Sequence, residues 1–154
     1  MHEIIIRTAP PQRLAAVPYT GPYAEIARGF EAFAALGNAH NLWPQLGAVV
    51  AVYFDDPATV PAAELRALTG AVFHGDQVPA DMQRFDLHAG RTAVLTFKGP
   101  YSGLCAAADY IYRHWLPQSG EELADAPDYE IYLNDPGETA EEDLLTEICV
   151  PLKG

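Results

Sequence analysis

The sequence predicts an α+β fold made of two similar halves, which together form an antiparallel sheet with two helices on one face. The first observation is a repeat, because RLAAVPYTGPY (13–23) aligns with RTAVLTFKGPY (91–101) at an offset of 78. The second is the alignment of VYFDDP (52–57) with IYLNDP (131–136) at an offset of 79. The third is an apolar stripe with helical spacing that follows each Gly-Pro-Tyr. We therefore expect a single domain, 1–154, with pseudo-repeats at about 1–78 and 79–154, and a ligand groove between them.

The first half predicts two strands, a helix and two further strands. The helix is expected from about Pro22 to Leu36, because proline suits a helix start, where its missing N–H needs no partner. Gly37 is expected to mark the end of this helix. The predicted strands are HEIIIR (2–7), RLAAVPY (13–19), AVVAVYF (48–54) and about Arg66–Phe73.

The second half predicts the same order of elements. A helix is expected from about Pro100 to Trp115, and it is flanked by segments with strand-like alternation. The predicted strands are QRFDLHA (83–89), RTAVLTF (91–97), DYEIYL (128–133) and LLTEICVPL (144–152).

The charge of the chain argues against direct nucleic-acid binding. Nine Lys and Arg residues stand against 21 Asp and Glu residues, a formal net charge of −12, and the basic residues are scattered. An acidic surface fits a cationic ligand, a basic protein partner or simple solubility. The chain has no apolar run of membrane-spanning length and no leader pattern, so a cytoplasmic location is expected. Cys105 and Cys149 are expected to be reduced core thiols.

Motifs for cofactors and metals are missing from the sequence. No GxGxxG, P-loop or nucleophile elbow is present, so no cofactor is expected. The five histidines show no HxH, HxxxH or HExxH spacing, so no metal site is expected. The segment GETAEEDLLTE groups five carboxylates, which are expected to form a solvated turn or to meet a basic partner. These carboxylates are Glu138, Glu141, Glu142, Asp143 and Glu147.

Glu130 is the residue at which the two halves differ in chemistry. In DYEIYL it shares a strand face with Tyr132, whereas the first half has Ala51 at the corresponding place, beside Tyr53. Burying a carboxylate costs several kcal/mol unless it is paired or protonated, so the fold does not require it. One interpretation places Glu130 on a pocket floor, where it attracts a cation or acts as a base on water. The other makes it a solvent-facing residue or an internal hydrogen-bond acceptor.

Aromatic residues are the second expected ingredient of a ligand site. An aromatic face binds a delocalised cation by roughly 0.5–2 kcal/mol per good contact. Trp43 and Trp115 follow their helices and are candidates, although Trp115 also completes the apolar stripe and has a core interpretation. Tyr23 and Tyr101 recur in both halves, which favours a structural role. The candidate ligand-binding residues are Glu130, Tyr132, Tyr53, Trp43, Trp115, Tyr101 and Tyr23.

With these motifs in hand, the sequence resembles the GyrI-like small-molecule-binding family, which includes bacterial DNA gyrase inhibitor proteins and effector-binding domains of AraC-type and MerR-type activators. The resemblance rests on VVAVYFDDPATVPAAELR (49–66), WLPQSGEELADAPDYEIYLNDP (115–136) and LLTEICVPL, and covers essentially the whole chain. It implies a duplicated β-α-β-β-type fold, a central pocket for apolar or cationic small molecules, and ligand binding by the glutamate of the E-x-Y motif. The fused regulators carry a DNA-binding domain before this module. This chain begins directly at the first strand, so a free-standing effector domain is expected.

Three functions follow from this resemblance. The first is a binding protein that sequesters apolar or cationic toxins, or modulates a partner such as DNA gyrase. The second is a hydrolase of strained, cyclopropane-bearing compounds, in which Glu130 activates water or attacks directly and Tyr132 holds the substrate. The third is inhibition of gyrase by protein–protein contact alone. The binding protein is the favoured function.

Overall fold

The computed structural model describes residues 2–154, which form two compact units. Unit 1 comprises the described residues through Pro10 together with His88–Gly154, and unit 2 is Pro11–Leu87. All strand pairs within each unit are antiparallel, and each unit packs helical segments on its strands, so the predicted α+β class is confirmed. The strands are β1 Ile4–Ala9, β2 Arg13–Thr20, β3 Leu46–Tyr53, β4 Arg66–Phe73, β5 Gln83–Asp86, β6 Gly90–Lys98, β7 Asp128–Tyr132 and β8 Leu145–Pro151; the α-helices are α1 Ala27–Ala39, α2 Leu104–Tyr110 and α3 Leu116–Ser119.

Unit 2 has the strand order β3-β4-β2-β5 and buries one sheet face under α1. Strand alternation sends Ala15, Val17, Ala71 and Phe73 to that face, where they pack with Phe33 of the helix. The chain enters α1 through a short 3₁₀ turn, Tyr23–Glu25, that directly follows Pro22.

Unit 1 has the strand order β1-β6-β8-β7. Its main apolar core combines alternate residues of β6 and β8 with Leu104, Ala107 and Ile111 from the helical segment. The strand residues of this core include Leu95 and Ile148, and we call the sheet side that carries them the helix-facing side. A 3₁₀ turn, Tyr101–Gly103, again leads into the helix after a proline.

The helical segment of unit 1 widens in its middle. Between α2 and α3, Ile111–Trp115 forms a π turn. Pro117 follows within α3 and lacks the N–H that an α-helix would offer to the carbonyl four residues earlier, at Arg113, which its ring also crowds. A wider turn relieves that crowding and keeps the chain helical until Gly120, which is left-handed with a φ of 75°.

The first strand of each sequence repeat pairs with strands of the other repeat. β1 pairs with β6, and β5 pairs with β2. The alternation of apolar residues predicted both strands but carries no information on which neighbour completes the hydrogen bonds. The compact units therefore differ from the two sequence repeats by an exchange of these strands.

Strand register repeats between the units. Tyr53 pairs with Ala67 in unit 2, and Tyr132 pairs with Thr146 in unit 1, 79 residues later in both strands. This is the offset at which VYFDDP (52–57) aligns with IYLNDP (131–136), so the duplication extends to the pairing of individual residues.

Gly37 was wrongly expected to end the first helix. α1 continues to Ala39, and the chain turns at Asn41, whose φ is 55°. Gly37 is buried inside the helix, where an added Cβ would lie 3.3 Å from the ring of Trp43. The glycine therefore allows a close approach of that indole and does not terminate the helix.

Candidate functional site

Glu130 lies in the middle of β7 on the helix-facing side of unit 1. It stands directly opposite Ile148 of β8, a residue of the apolar core, and the side chain of Glu130 is buried with only 8% exposure. Alternation places Tyr132 on the same side, and its hydroxyl donates a 2.8 Å hydrogen bond to Glu130 Oε1. A carboxylate in such surroundings keeps its charge only if hydrogen-bond donors or cations surround it.

Tyr101 completes a group that we call the carboxylate–tyrosine cluster, consisting of Glu130, Tyr132 and Tyr101. Gly99, with a φ of 145°, turns the chain out of β6 so that Pro100 and the 3₁₀ turn place the Tyr101 ring next to Tyr132. The two ring centroids are 5.5 Å apart with an interplanar angle of 62°, an edge-to-face arrangement.

Burial and two nearby carboxyl groups act on the pKa of Tyr101. Burial of its hydroxyl raises the pKa of Tyr101, and the negative charges of Asp135 and Glu130 raise it further. The tyrosine therefore stays neutral at neutral pH, and its ring lies in the same cluster as the buried Glu130 carboxylate. This combination of rings and a carboxylate suits a ligand that is both apolar and positively charged.

Unit 2 contains the same tyrosine pair without the carboxylate. The rings of Tyr23 and Tyr53 are 4.8 Å apart at 72°, and the Tyr23 hydroxyl donates a 2.6 Å hydrogen bond to the carbonyl of Arg66. Ala51, fully buried, occupies the place that corresponds to Glu130. The tyrosine pair thus belongs to the repeated architecture, and the carboxylate is an addition to unit 1.

The two tryptophans have different surroundings. Trp43 belongs to unit 2 and is 46% exposed; its ring packs edge-to-face on Phe33, and its Nε1 donates a 2.6 Å hydrogen bond to Asn38. Trp115 is partly buried at the end of the π turn and packs against the apolar core of unit 1. The packing of Trp115 therefore supports its interpretation as a core residue. Within unit 2, Trp43 packs against residues of α1 near the end of that helix.

The five carboxylates grouped by sequence do not form one solvated turn. Glu147 lies within β8, where it accepts two hydrogen bonds, of 2.9 and 2.6 Å, from the guanidinium of Arg7. Asp143 forms a 3.6 Å ion pair with Lys98. Alternation puts Glu147 on the sheet side away from the helix, so it does not take part in the carboxylate–tyrosine cluster.

Sequence reasoning missed Thr146 as a site residue. This threonine is fully buried on the helix-facing side, and within residues 2–154 its Oγ1 has no hydrogen-bond partner. The repeat held a signal, because the corresponding residue of unit 2 is Ala67. The signal was weak, since threonine is a common strand residue whatever its surroundings.

The described residues hold no group of three or more His, Cys, Asp or Glu side chains that would suit a metal ion. Among the helices of residues 2–154, none is long and apolar enough to cross a membrane.

Several known proteins are similar to this chain over most of its length. A DNA gyrase inhibitor of Yersinia enterocolitica is 33% identical over 131 residues, which cover 81% of this chain and 82% of that protein. The crystal structure of the EcmrR C-terminal domain has a TM-score of 0.79 at 13% identity, with 99% of this chain and 98% of that chain covered. The structure of SAV2435 bound to tetraphenylphosphonium has a TM-score of 0.66 at 16% identity, with 99% and 94% covered.

The two structural likenesses show a shared fold. The profile of one family, the GyrI-like small molecule binding domain, matches residues 2–153 of this chain. The match spans both sequence repeats, the carboxylate–tyrosine cluster and the tyrosine pair of unit 2. The chain therefore belongs to the GyrI-like small-molecule-binding domain family.

Proposed function

We propose that this protein binds lipophilic cations on the helix-facing side of unit 1, with the Glu130 carboxylate as the charge partner of the ligand. The observation that carries the proposal is the buried glutamate beside two tyrosine rings, in only one of two otherwise similar units. A fold does not need this carboxylate, since Ala51 fills the same place in unit 2. A bound cation would supply a positive charge beside the Glu130 carboxylate.

The energetics of the cluster favour a bulky, delocalised cation. Such a cation is weakly hydrated, so it loses little on leaving water, and each aromatic face adds roughly 0.5–2 kcal/mol. A small metal ion or a simple ammonium would lose more hydration. The structure of SAV2435 bound to tetraphenylphosphonium provides an example of such a cation on a protein with this fold.

Calorimetric titration with tetraphenylphosphonium tests the proposal. We expect the wild type to bind, and Glu130→Gln to bind about 10- to 100-fold more weakly, which corresponds to about 1.4–2.8 kcal/mol. Glu138→Gln is the matched control, because it removes one negative charge from an exposed position in the turn after β7. Its affinity should stay within about twofold of the wild type, since exposed charges are screened by salt.

Two outcomes would contradict the proposal. One is equal affinity of the wild type and Glu130→Gln, which would remove the carboxylate from binding. The other is chemical change of a bound compound, detected by mass spectrometry, that depends on Glu130. The second outcome would support the hydrolase, with Glu130 as the base that activates water.

Modulation of DNA gyrase is the second candidate function, favoured by the 33% identical relative named a DNA gyrase inhibitor. Gyrase would then be a protein partner, and the acidic chain would meet a basic surface. A supercoiling assay with purified gyrase tests it directly. Inhibition that rises with the concentration of this protein supports the function, and unchanged supercoiling at a large excess contradicts it.

A further inference from the structure

The hydroxyl of Thr146 makes no contribution to the hydrogen bonds that hold the described part of the fold together. It is fully buried in β8, and its Oγ1 has no hydrogen-bond partner among the described residues. Most buried polar side chains in native proteins are hydrogen-bonded, so an exception calls for a physical reason.

Thr146 lies beside the carboxylate–tyrosine cluster. On one side it pairs directly with Tyr132 of β7, and on the other with Phe97 of β6. Side chains directly opposite each other on neighbouring strands have Cβ atoms about 4.5–5.5 Å apart, and diagonal neighbours about 7–8 Å. Glu130 is such a diagonal neighbour, two residues before Tyr132 on the same sheet side. The Thr146 side chain therefore lies at the diagonal-neighbour distance from the buried Glu130 side chain.

The repeat shows that the fold accepts an apolar residue at this place. In unit 2 the corresponding Ala67 pairs with Tyr19 and Tyr53, just as Thr146 pairs with Phe97 and Tyr132. Two buried alanines of unit 2, Ala51 and Ala67, thus correspond to Glu130 and Thr146, which are buried polar residues of unit 1 on this sheet side. Both changes add hydrogen-bonding capacity in the same unit and on neighbouring strands.

We propose, on the basis of the proposed function, that Thr146 Oγ1 is a second polar contact of the ligand site. It selects cations that carry an N–H donor at about the diagonal-neighbour distance from their contact with Glu130. In the complex, the hydroxyl accepts a hydrogen bond from that donor. Because the hydroxyl is fully buried, ligand entry requires a flanking ring to rotate away. Tyr132 flanks both polar groups, because it pairs with Thr146 and donates a hydrogen bond to Glu130, and its neighbour Tyr101 is 36% exposed.

A pair of triphenylmethane dyes separates the two polar contacts. Pararosaniline and crystal violet share one delocalised cation, but pararosaniline carries N–H groups where crystal violet carries N-methyl groups. Thr146→Val keeps the shape of the side chain and removes the hydroxyl. We expect its affinity for pararosaniline to fall about 5- to 10-fold, in line with loss of one hydrogen bond, and its affinity for crystal violet to change less than twofold. Thr146→Ser, which restores a hydroxyl, should recover at least half of the lost preference for pararosaniline.

Thermal unfolding supplies a readout that does not depend on ligand. An unpartnered hydroxyl contributes nothing favourable, so Thr146→Val should melt at the wild-type temperature or above it. Thr69→Val is the matched control in unit 2, because Thr69 is also fully buried but donates a 3.4 Å hydrogen bond to the carbonyl of Val17. It should melt below the wild type.

The outcomes separate this inference from the proposed function. If Glu130→Gln weakens both dyes but Thr146→Val changes them equally or not at all, the role of Thr146 is wrong and the function stands. A melting temperature of Thr146→Val as low as that of Thr69→Val also overturns the role of Thr146. If neither dye binds the wild type, or Glu130→Gln binds both normally, the proposed function fails and this inference fails with it.

Discussion

Replacing Tyr132 by phenylalanine removes one hydroxyl and keeps the aromatic ring, so it isolates the hydrogen bond to Glu130. That bond is 2.8 Å long, and its acceptor is only 8% exposed. A hydrogen bond to a charged group contributes about 1.5–3 kcal/mol. Because Tyr132 itself is only half-buried, water compensates for part of the loss, and we expect the free energy of unfolding to fall by about 1–2 kcal/mol.

Urea denaturation followed by circular dichroism measures this change, and the melting temperature should fall by about 2–8 °C. Tyr110→Phe is the control, because the Tyr110 ring stacks on His114 with centroids 5.5 Å apart and keeps that contact as phenylalanine. Its stability should stay within about 0.5 kcal/mol of the wild type. Equal stability of Tyr132→Phe and Tyr110→Phe would refute the reasoning, because Glu130 would then gain nothing from the tyrosine hydroxyl.

Two further predictions concern single residues. Cys149 is fully buried, as expected, and burial raises the pKa of its thiol to about 12. Cys105 was wrongly expected in the core and is exposed. A thiol reagent at neutral pH should therefore modify Cys105 in the native protein and Cys149 only after denaturation. Fast reaction of both thiols would contradict this burial. Ala51→Glu places a carboxylate in unit 2 at the position that corresponds to Glu130, and urea denaturation should show a loss of about 3 kcal/mol or more. Ala58→Glu, on an exposed turn, is its control and should change stability by less than about 0.5 kcal/mol; equal stability of both variants would show that unit 2 accommodates the charge as unit 1 does.

Local sequence patterns predicted the elements of this fold well, because each depends on a period or on a punctuating residue. β4 was expected at about Arg66–Phe73 and has those bounds, and both helices follow the expected prolines. The exchange of β1 and β5 was not predictable in this way, since partner choice depends on residues far apart in the chain. Gly37 misled for a related reason: close packing against Trp43 and helix termination both favour glycine.

The candidate site residues also fall into two groups, those that a local sequence pattern singles out and those that only packing in the structure identifies. Glu130 stood out because a carboxylate replaces a small apolar residue at a known offset, a large change in the free energy of burial. Thr146 differs from Ala67 by a hydroxyl and a methyl group, and only the structure shows that this hydroxyl is buried and has no hydrogen-bond partner among residues 2–154. Trp115 satisfied an apolar stripe and an aromatic-site pattern equally, and its packing against the core distinguishes the two.

A crystal structure of the complex with tetraphenylphosphonium tests the role of Glu130 most directly. We expect the cation next to the Glu130 carboxylate, with its phosphorus atom within about 6 Å of the ring centroid of Tyr132 or Tyr101. A cation bound elsewhere, with Glu130 still buried against Tyr132 as it is here, would contradict the proposed site.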